Sequence, residues 1–142
     1  MPIFILVVVV VAGASLPSTA DEPFRVIVHP QVKGNQIPKG TLSSIFLKES
    51  TRWGDGSTVY PVDQSMRAAV REAFTMKVIG KPIEGVQAYW TRRFVEGRVW
   101  PPPVKQSDGD VISYVASTPG AIGYVSSTTP LPDSVKSVIV VE

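Results

Sequence analysis

The sequence has no cysteine and a single histidine, His29. The first absence excludes disulfide staples and thiolate chemistry, so a packed core must supply stability. The second leaves any Ser/His nucleophile pair or zinc site resting on His29 alone, a residue that ends an apolar run and precedes Pro30. Neither a Walker motif nor a GxGxxG loop is present. Charged residues make up only 18% of the chain, the net charge is +2, and no basic block occurs. Arg92-Arg93 is the densest basic spot and reads as a solvated helix face, so nucleic acid is not an expected partner. These absences argue against an enzyme and against a metal or cofactor.

What is present fits one exported α/β domain. At 142 residues and 44% hydrophobic content, the chain can bury one real core but not two. The start, "MPIFILVVVVVAGASLPSTADEPF", has an apolar stretch of ten residues from Ile3 to Ala12, too short to span a bilayer. Ser18 and Ala20 put small residues at the −3 and −1 positions of a cleavage site. The expectation is a signal peptide over 1–20, a mature domain over 21–142 and a periplasmic location. The missing Lys or Arg in "MPIF" departs from the usual pattern.

Beyond Asp21, short β-rich runs alternate with helix-period segments, and 13 prolines with 11 glycines punctuate them. "FRVIVH" predicts a buried strand, and Thr41 can cap a short helix that buries Leu42, Ile45 and Phe46. Gly54-Asp55-Gly56 predicts a tight turn before a strand through Val62. The next helix carries Met66, Ala69, Val70, Ala73 and Phe74 on one face and stops at Gly80. A further helix buries Val86, Tyr89, Trp90 and Phe94 and closes at Gly97. "WPPPV" must be extended. Ser107 with Asp110 forms a capping-box start for a helix to about Ser117. Pro119-Gly120 predicts a type II turn into a strand, and "SVKSVIVV" supplies the last strand. Asp55, Asp63, Asp108 and Asp110 all stand where turns and caps favour aspartate. Trp53, Tyr89, Trp90 and Trp100 read as core and rim packing, with a protein-interaction surface as the alternative.

The stretch "DQSMRAAVREAF" places a small hydroxyl residue and an arginine where a strand feeds a helix, an arrangement that presents free N–H groups to an anion. Three segments, "LSSIFLKESTRWGDGSTVYPVDQS", "REAF" and "PGAIGYV", follow one another in an order that resembles the phosphate-binding proteins of bacterial ABC transporters. The resemblance carries Leu42, Ile45, Phe46, Leu47, Trp53, Asp55, Gly56, Pro61, Val62, Ser65, Phe74 and the run from Pro119 to Val125. It implies a single lobe of a type II periplasmic binding protein-like fold, a mixed sheet flanked by helices. A full member of that family is about twice as long.

The resemblance also implies a site. In that family an arginine and a Gly-Ser-Gly-Thr loop at a helix N-terminus grip phosphate. Here the equivalent turn gives Gln64, Ser65, Met66 and Arg67 as the candidate ligand-binding residues, with Ser65 at the serine position. The flanking glycines are replaced, Asp63 or Gln64 falls where the arginine stands, and Arg67 is expected within the helix. Asp63 is then compatible with an anion only as the N-cap. The second helix start, at Ser107, already carries Asp108 and Asp110 and is disfavoured for an anion. The expected partners are phosphate or another small oxyanion, and an ABC transporter permease or other envelope protein. The alternative is a protein-interaction module, or a homodimer that rebuilds a two-sided cleft, with ligand binding lost.

Overall fold

The computed structural model describes residues 22–142, so the expected leader lies outside the described residues. In chain order the elements are β1 (Phe24–Val28), β2 (Gln36–Pro38), α1 (Lys39–Phe46), β3 (Tyr60–Pro61), β4 (Asp63–Gln64) and α2 (Ala69–Phe74). A π-helical turn, Thr75–Ile79, extends α2. There follow α3 (Ile83–Gly97), β5 (Val104–Lys105), α4 (Asp108–Ser117), β6 (Ala121–Ser126) and β7 (Lys136–Val141). The main sheet has the order β2-β7-β1-β6-β3, and β4-β5 forms a two-stranded annex. β1 runs antiparallel to both β6 and β7, whereas β2-β7, β3-β6 and β4-β5 are parallel. The sheet is therefore mixed, as expected.

Both faces of the central strands are covered, which explains why they read as continuous apolar runs. Phe24, Val26 and Val28 of β1, with Ile122 and Tyr124 of β6, pack against α1, α2 and the π-turn. Ile27, Ala121 and Val125 face the other way, onto Val111 and Val115 of α4. Each valine, isoleucine or phenylalanine so buried stabilises by roughly 1.5–3 kcal/mol before entropy is counted. Gly123 lets α4 approach the sheet: a Cβ there would lie 2.7 Å from Val62 Cγ1 and 2.8 Å from Val111 Cγ1. Gly120 has φ +87, as the type II turn requires, and a Cβ there would meet the Thr58 carbonyl oxygen at 2.3 Å.

Several boundaries differ from the sequence reading. α1 begins two residues before Thr41, with Pro38 at its N-cap, because proline's fixed φ suits a helix start. The strand expected through Val62 is split: β3 ends at Pro61, and the chain then leaves the main sheet for β5. α2 starts only at Ala69, so Met66 and Arg67 precede the helix and Met66 is exposed rather than part of the apolar stripe. Gly80 does end the helical run, at φ 76. At α3 the left-handed residue is Arg98, φ 53, one position beyond Gly97. Only Val86 and Trp90 of α3 are buried, and Phe94 is exposed. The Ser107 cap is present, with Asp110 N donating to Ser107 Oγ at 3.1 Å.

Candidate functional site

The local path after β3 builds the candidate site. Val62 N still donates to the Ile122 carbonyl of the main sheet at 2.9 Å, but Asp63 N donates to Pro103 O at 2.8 Å and Ser65 N to Lys105 O at 3.1 Å. The parallel strands β4 and β5 each run into a helix, α2 and α4 respectively. Both helix N-termini consequently open beyond the carboxyl ends of these strands, where open α/β sheets hold ligands.

Of the four candidate residues, Gln64 lies inside and the others form the rim. Gln64 is buried, and its Nε2 donates to Asp108 Oδ1 at 2.7 Å and to Tyr124 O at 2.9 Å. Ser65 is half-buried and shapes the turn: its carbonyl accepts from Ala68 N at 2.9 Å and its Oγ from Arg67 N at 3.3 Å. Met66 is exposed, and its sulfur accepts from Gln87 Nε2. The Arg67 side chain is exposed. Ala68, at the N-cap of α2, offers no capping side chain, so the first-turn N–H groups of Ala69 and Val70 have no intrahelical acceptor. Glu72, in that first turn, adds a negative charge that weakens the site for an anion.

Beneath the rim lies a polar network that sequence reasoning missed. Asp63 is not a cap but a buried strand residue, ion-paired to Arg71 at 3.2 Å and accepting a hydrogen bond from the Tyr124 hydroxyl. Gln64 N also donates to Asp63 Oδ1, at 3.0 Å. Arg71 NH1 donates to the Gln64 carbonyl at 2.7 Å. Phe74 stacks on the Tyr124 ring at 3.9 Å and 6°, closing the network from the core side. Burial raises the Asp63 pKa, opposed by the Arg71 charge and by hydrogen bonds from Tyr124 and Gln64. Burial and the neighbouring Asp63 charge push the Tyr124 phenol far up, so it acts as a donor.

The α4 end is already filled. Asp108, the first helical residue, accepts from Gln64 Nε2, from Thr129 Oγ1 at 2.6 Å and from Ser126 N at 3.2 Å. Burial works against its charge, but the bonds from Thr129, Gln64 and Ser126 prevail and hold its pKa below the ordinary aspartate value. The Asp108 carboxylate thus ties the start of α4 to β4, β6 and the loop after β6, and together with Asp110 it puts negative charge in the first turn of that helix, which disfavours an external anion there.

His29 stands at the end of β1, its Nδ1 accepting from Gln31 N at 3.1 Å. Asp55 binds Ser57 Oγ at 2.6 Å and so belongs to its turn. A concavity of about 570 Å³ lies beside that turn, between Trp53, Tyr60 and Pro119. The Trp53 indole is engaged there, donating to Gly120 O at 3.0 Å.

The fold is a single α/β lobe, a mixed sheet flanked by helices, like one lobe of the type II periplasmic binding protein fold. No family model matches the sequence, and neither does any curated protein. Solved structures do match in fold. A phosphate ABC transporter substrate-binding protein of Clostridium perfringens, solved with bound phosphate, superposes with a TM-score of 0.64 at 19% identity, over 82% of this chain and 44% of that one. An ABC-type phosphate transport receptor of Vibrio cholerae gives 0.61 at 16%, over 82% and 45%. PstS of Borrelia burgdorferi gives 0.61 at 17%, over 83% and 47%. The chain therefore spans less than half the length of these substrate-binding proteins.

Proposed function

We propose that this chain is an exported, non-catalytic binding-protein-like domain related to phosphate uptake, and that the Ser65–Ala68 turn seats phosphate or another small oxyanion. The carrying observation is the contrast between the two helix starts. At α4, Ser107 caps and Asp108 and Asp110 put negative charge in the first turn, whereas at α2 the N-cap is Ala68, which makes no side-chain cap bond. Half-buried Ser65 and exposed Arg67 precede that helix start in the chain and are the polar side chains we assign to an anion there. The fold likeness to phosphate-binding proteins supports the kind of ligand. An ABC transporter permease or another envelope protein is the corresponding partner. Thermal unfolding at increasing phosphate tests this, with Ser65→Ala and Arg67→Ala beside the wild type. A midpoint indifferent to phosphate and sulfate overturns the reading.

One observation favours a second reading. The Gln64 amide and the Asp108 carboxylate bond to each other at 2.7 Å, so two polar groups at the strand ends serve the fold rather than a ligand. A lobe in that state acts through its surface, as a protein-interaction or dimerising module. Light scattering across concentration separates a homodimer from a monomer.

A further inference from the structure

The end of α3 carries an aromatic and basic cluster that the sequence keeps apart. Val95 is 77% exposed, Trp100 66% and Phe94 41%, although all three are large apolar residues. The left-handed turn at Arg98 folds the chain back so that the Phe94 and Trp100 rings meet, 4.8 Å between centroids at 59°. Exposed apolar side chains gathered in this way mark an interaction surface. Three arginines lie in the same stretch of chain: Arg92 and Arg98 are exposed, and Arg93 is half-buried, its guanidinium 6.0 Å from the Tyr89 ring and its Nε buried without a hydrogen-bond partner. Glu96 is the single acidic residue between Trp90 and Pro103, which leaves a basic excess.

The geometry points to this tip as a docking surface for an anionic phospholipid bilayer. A second copy meeting it across a two-fold axis would bring the same arginines against each other, which disfavours self-association here. Nucleic-acid stacking would use the rings, but the most exposed of the three apolar residues is the aliphatic Val95, which offers a base no π-face. A bilayer interface matches every part: tryptophan and phenylalanine settle at headgroup depth, valine reaches the acyl boundary, and arginines meet anionic headgroups. Pro101, Pro102 and Pro103 follow Trp100 directly and restrict the backbone behind it. Docking through this tip does not depend on the oxyanion seat.

The full chain carrying Val95→Cys, labelled with an environment-sensitive fluorophore, tests this. The sequence has no cysteine of its own, so the label reports the tip alone. A separate variant, Asp133→Cys, puts the same label in an exposed loop elsewhere. Vesicles of phosphatidylcholine with phosphatidylglycerol should shift the Val95 label to the blue and leave the Asp133 label unchanged. High salt should weaken the shift, and Arg92→Gln with Arg98→Gln should lower partitioning by roughly fivefold per arginine. No shift at Val95, equal shifts at both labels, or an equal shift on pure phosphatidylcholine each overturns the proposal. So does a response to a single-stranded oligonucleotide with none to vesicles, which would assign the surface to nucleic acid.

Discussion

Arg71 Nε stands 3.2 Å from Asp63 Oδ1, and both side chains are buried beneath the rim of the candidate site. A buried pair of this kind contributes little net stability, but removing one partner leaves an uncompensated charge. Arg71→Met should therefore destabilise by about 3–5 kcal/mol, whereas Asp63→Leu with Arg71→Met should recover most of that loss. The sign of the pH dependence follows from the Asp63 carboxyl, whose pKa burial raises even with Arg71 in place. A raised carboxyl stabilises the fold below its ordinary value of 3.8 and loses that contribution as pH rises through the folded value. The Arg71→Met deficit should thus widen from acid toward neutral pH. Urea unfolding across pH checks this, and a deficit independent of pH would mean that Arg71 does not influence the Asp63 pKa.

Much of the scaffold was legible because local chemistry and tertiary structure agree there. The apolar run of β1, the Ser107 cap, the stop at Gly80 and the turn at Gly120 each rest on side-chain pattern or φ alone. The Asp63–Arg71 pair was not legible. An aspartate before Gln64-Ser65 looks like an N-cap, and its true partners come from α2 and β6, which only the folded chain brings together. One signal was available: Arg71 lies three residues before Phe74, on the face that buries Val70, Phe74 and Val78, so an arginine there needed an acid. The aromatic cluster at Phe94 and Trp100 was hidden for a different reason. The left-handed residue that folds the chain back is an arginine, not the adjacent Gly97.

Gly123 sets the distance between α4 and the sheet, so Gly123→Ala should overpack the layer. Its Cβ would meet Val62 Cγ1 at 2.7 Å and Val111 Cγ1 at 2.8 Å, both on side chains that are fully buried. Such insertion costs about 1–3 kcal/mol. Chemical denaturation should give that loss for Gly123→Ala, and adding Val111→Ala should relieve the clash in part, against the usual cost of a cavity. If the double variant is merely the sum of the two singles, the contact does not set the spacing.

The oxyanion seat at the start of α2 makes a graded prediction. Phosphate at ten times its Kd stabilises the native state by about 1.4 kcal/mol, a midpoint rise of roughly 5 °C for a domain of this size. Arg67→Ala should reduce that rise, since it removes the exposed cation two residues before the first residue of α2. Glu72→Gln should increase it, because Glu72 places a like charge in the first turn. Calorimetric unfolding of the three proteins in parallel checks both directions. The same ordering obtained with chloride would assign the effect to general screening.

Asp108 should behave as a built-in anion, replaceable from solution. Its carboxylate accepts from Gln64 Nε2, Thr129 Oγ1 and Ser126 N, so Asp108→Ala leaves three donors converging on a vacated position. The loss should be about 1–3 kcal/mol. Because these bonds hold the Asp108 pKa below its ordinary value of 3.8, the contribution is complete above that value and fades as pH falls through the folded one. Asp108→Ala should accordingly cost most at neutral pH and little in strong acid, the same direction as the Arg71→Met deficit but arising from lost hydrogen bonds to a carboxylate rather than from an unpaired one. Formate or acetate, each small enough to approach the carboxylate position, should raise the midpoint of Asp108→Ala and leave the wild type unchanged. Rescue by formate but not by chloride would identify a geometric carboxylate site at the start of α4. Failure of both would mean that Gln64, Thr129 and Ser126 reorganise once the acid is gone.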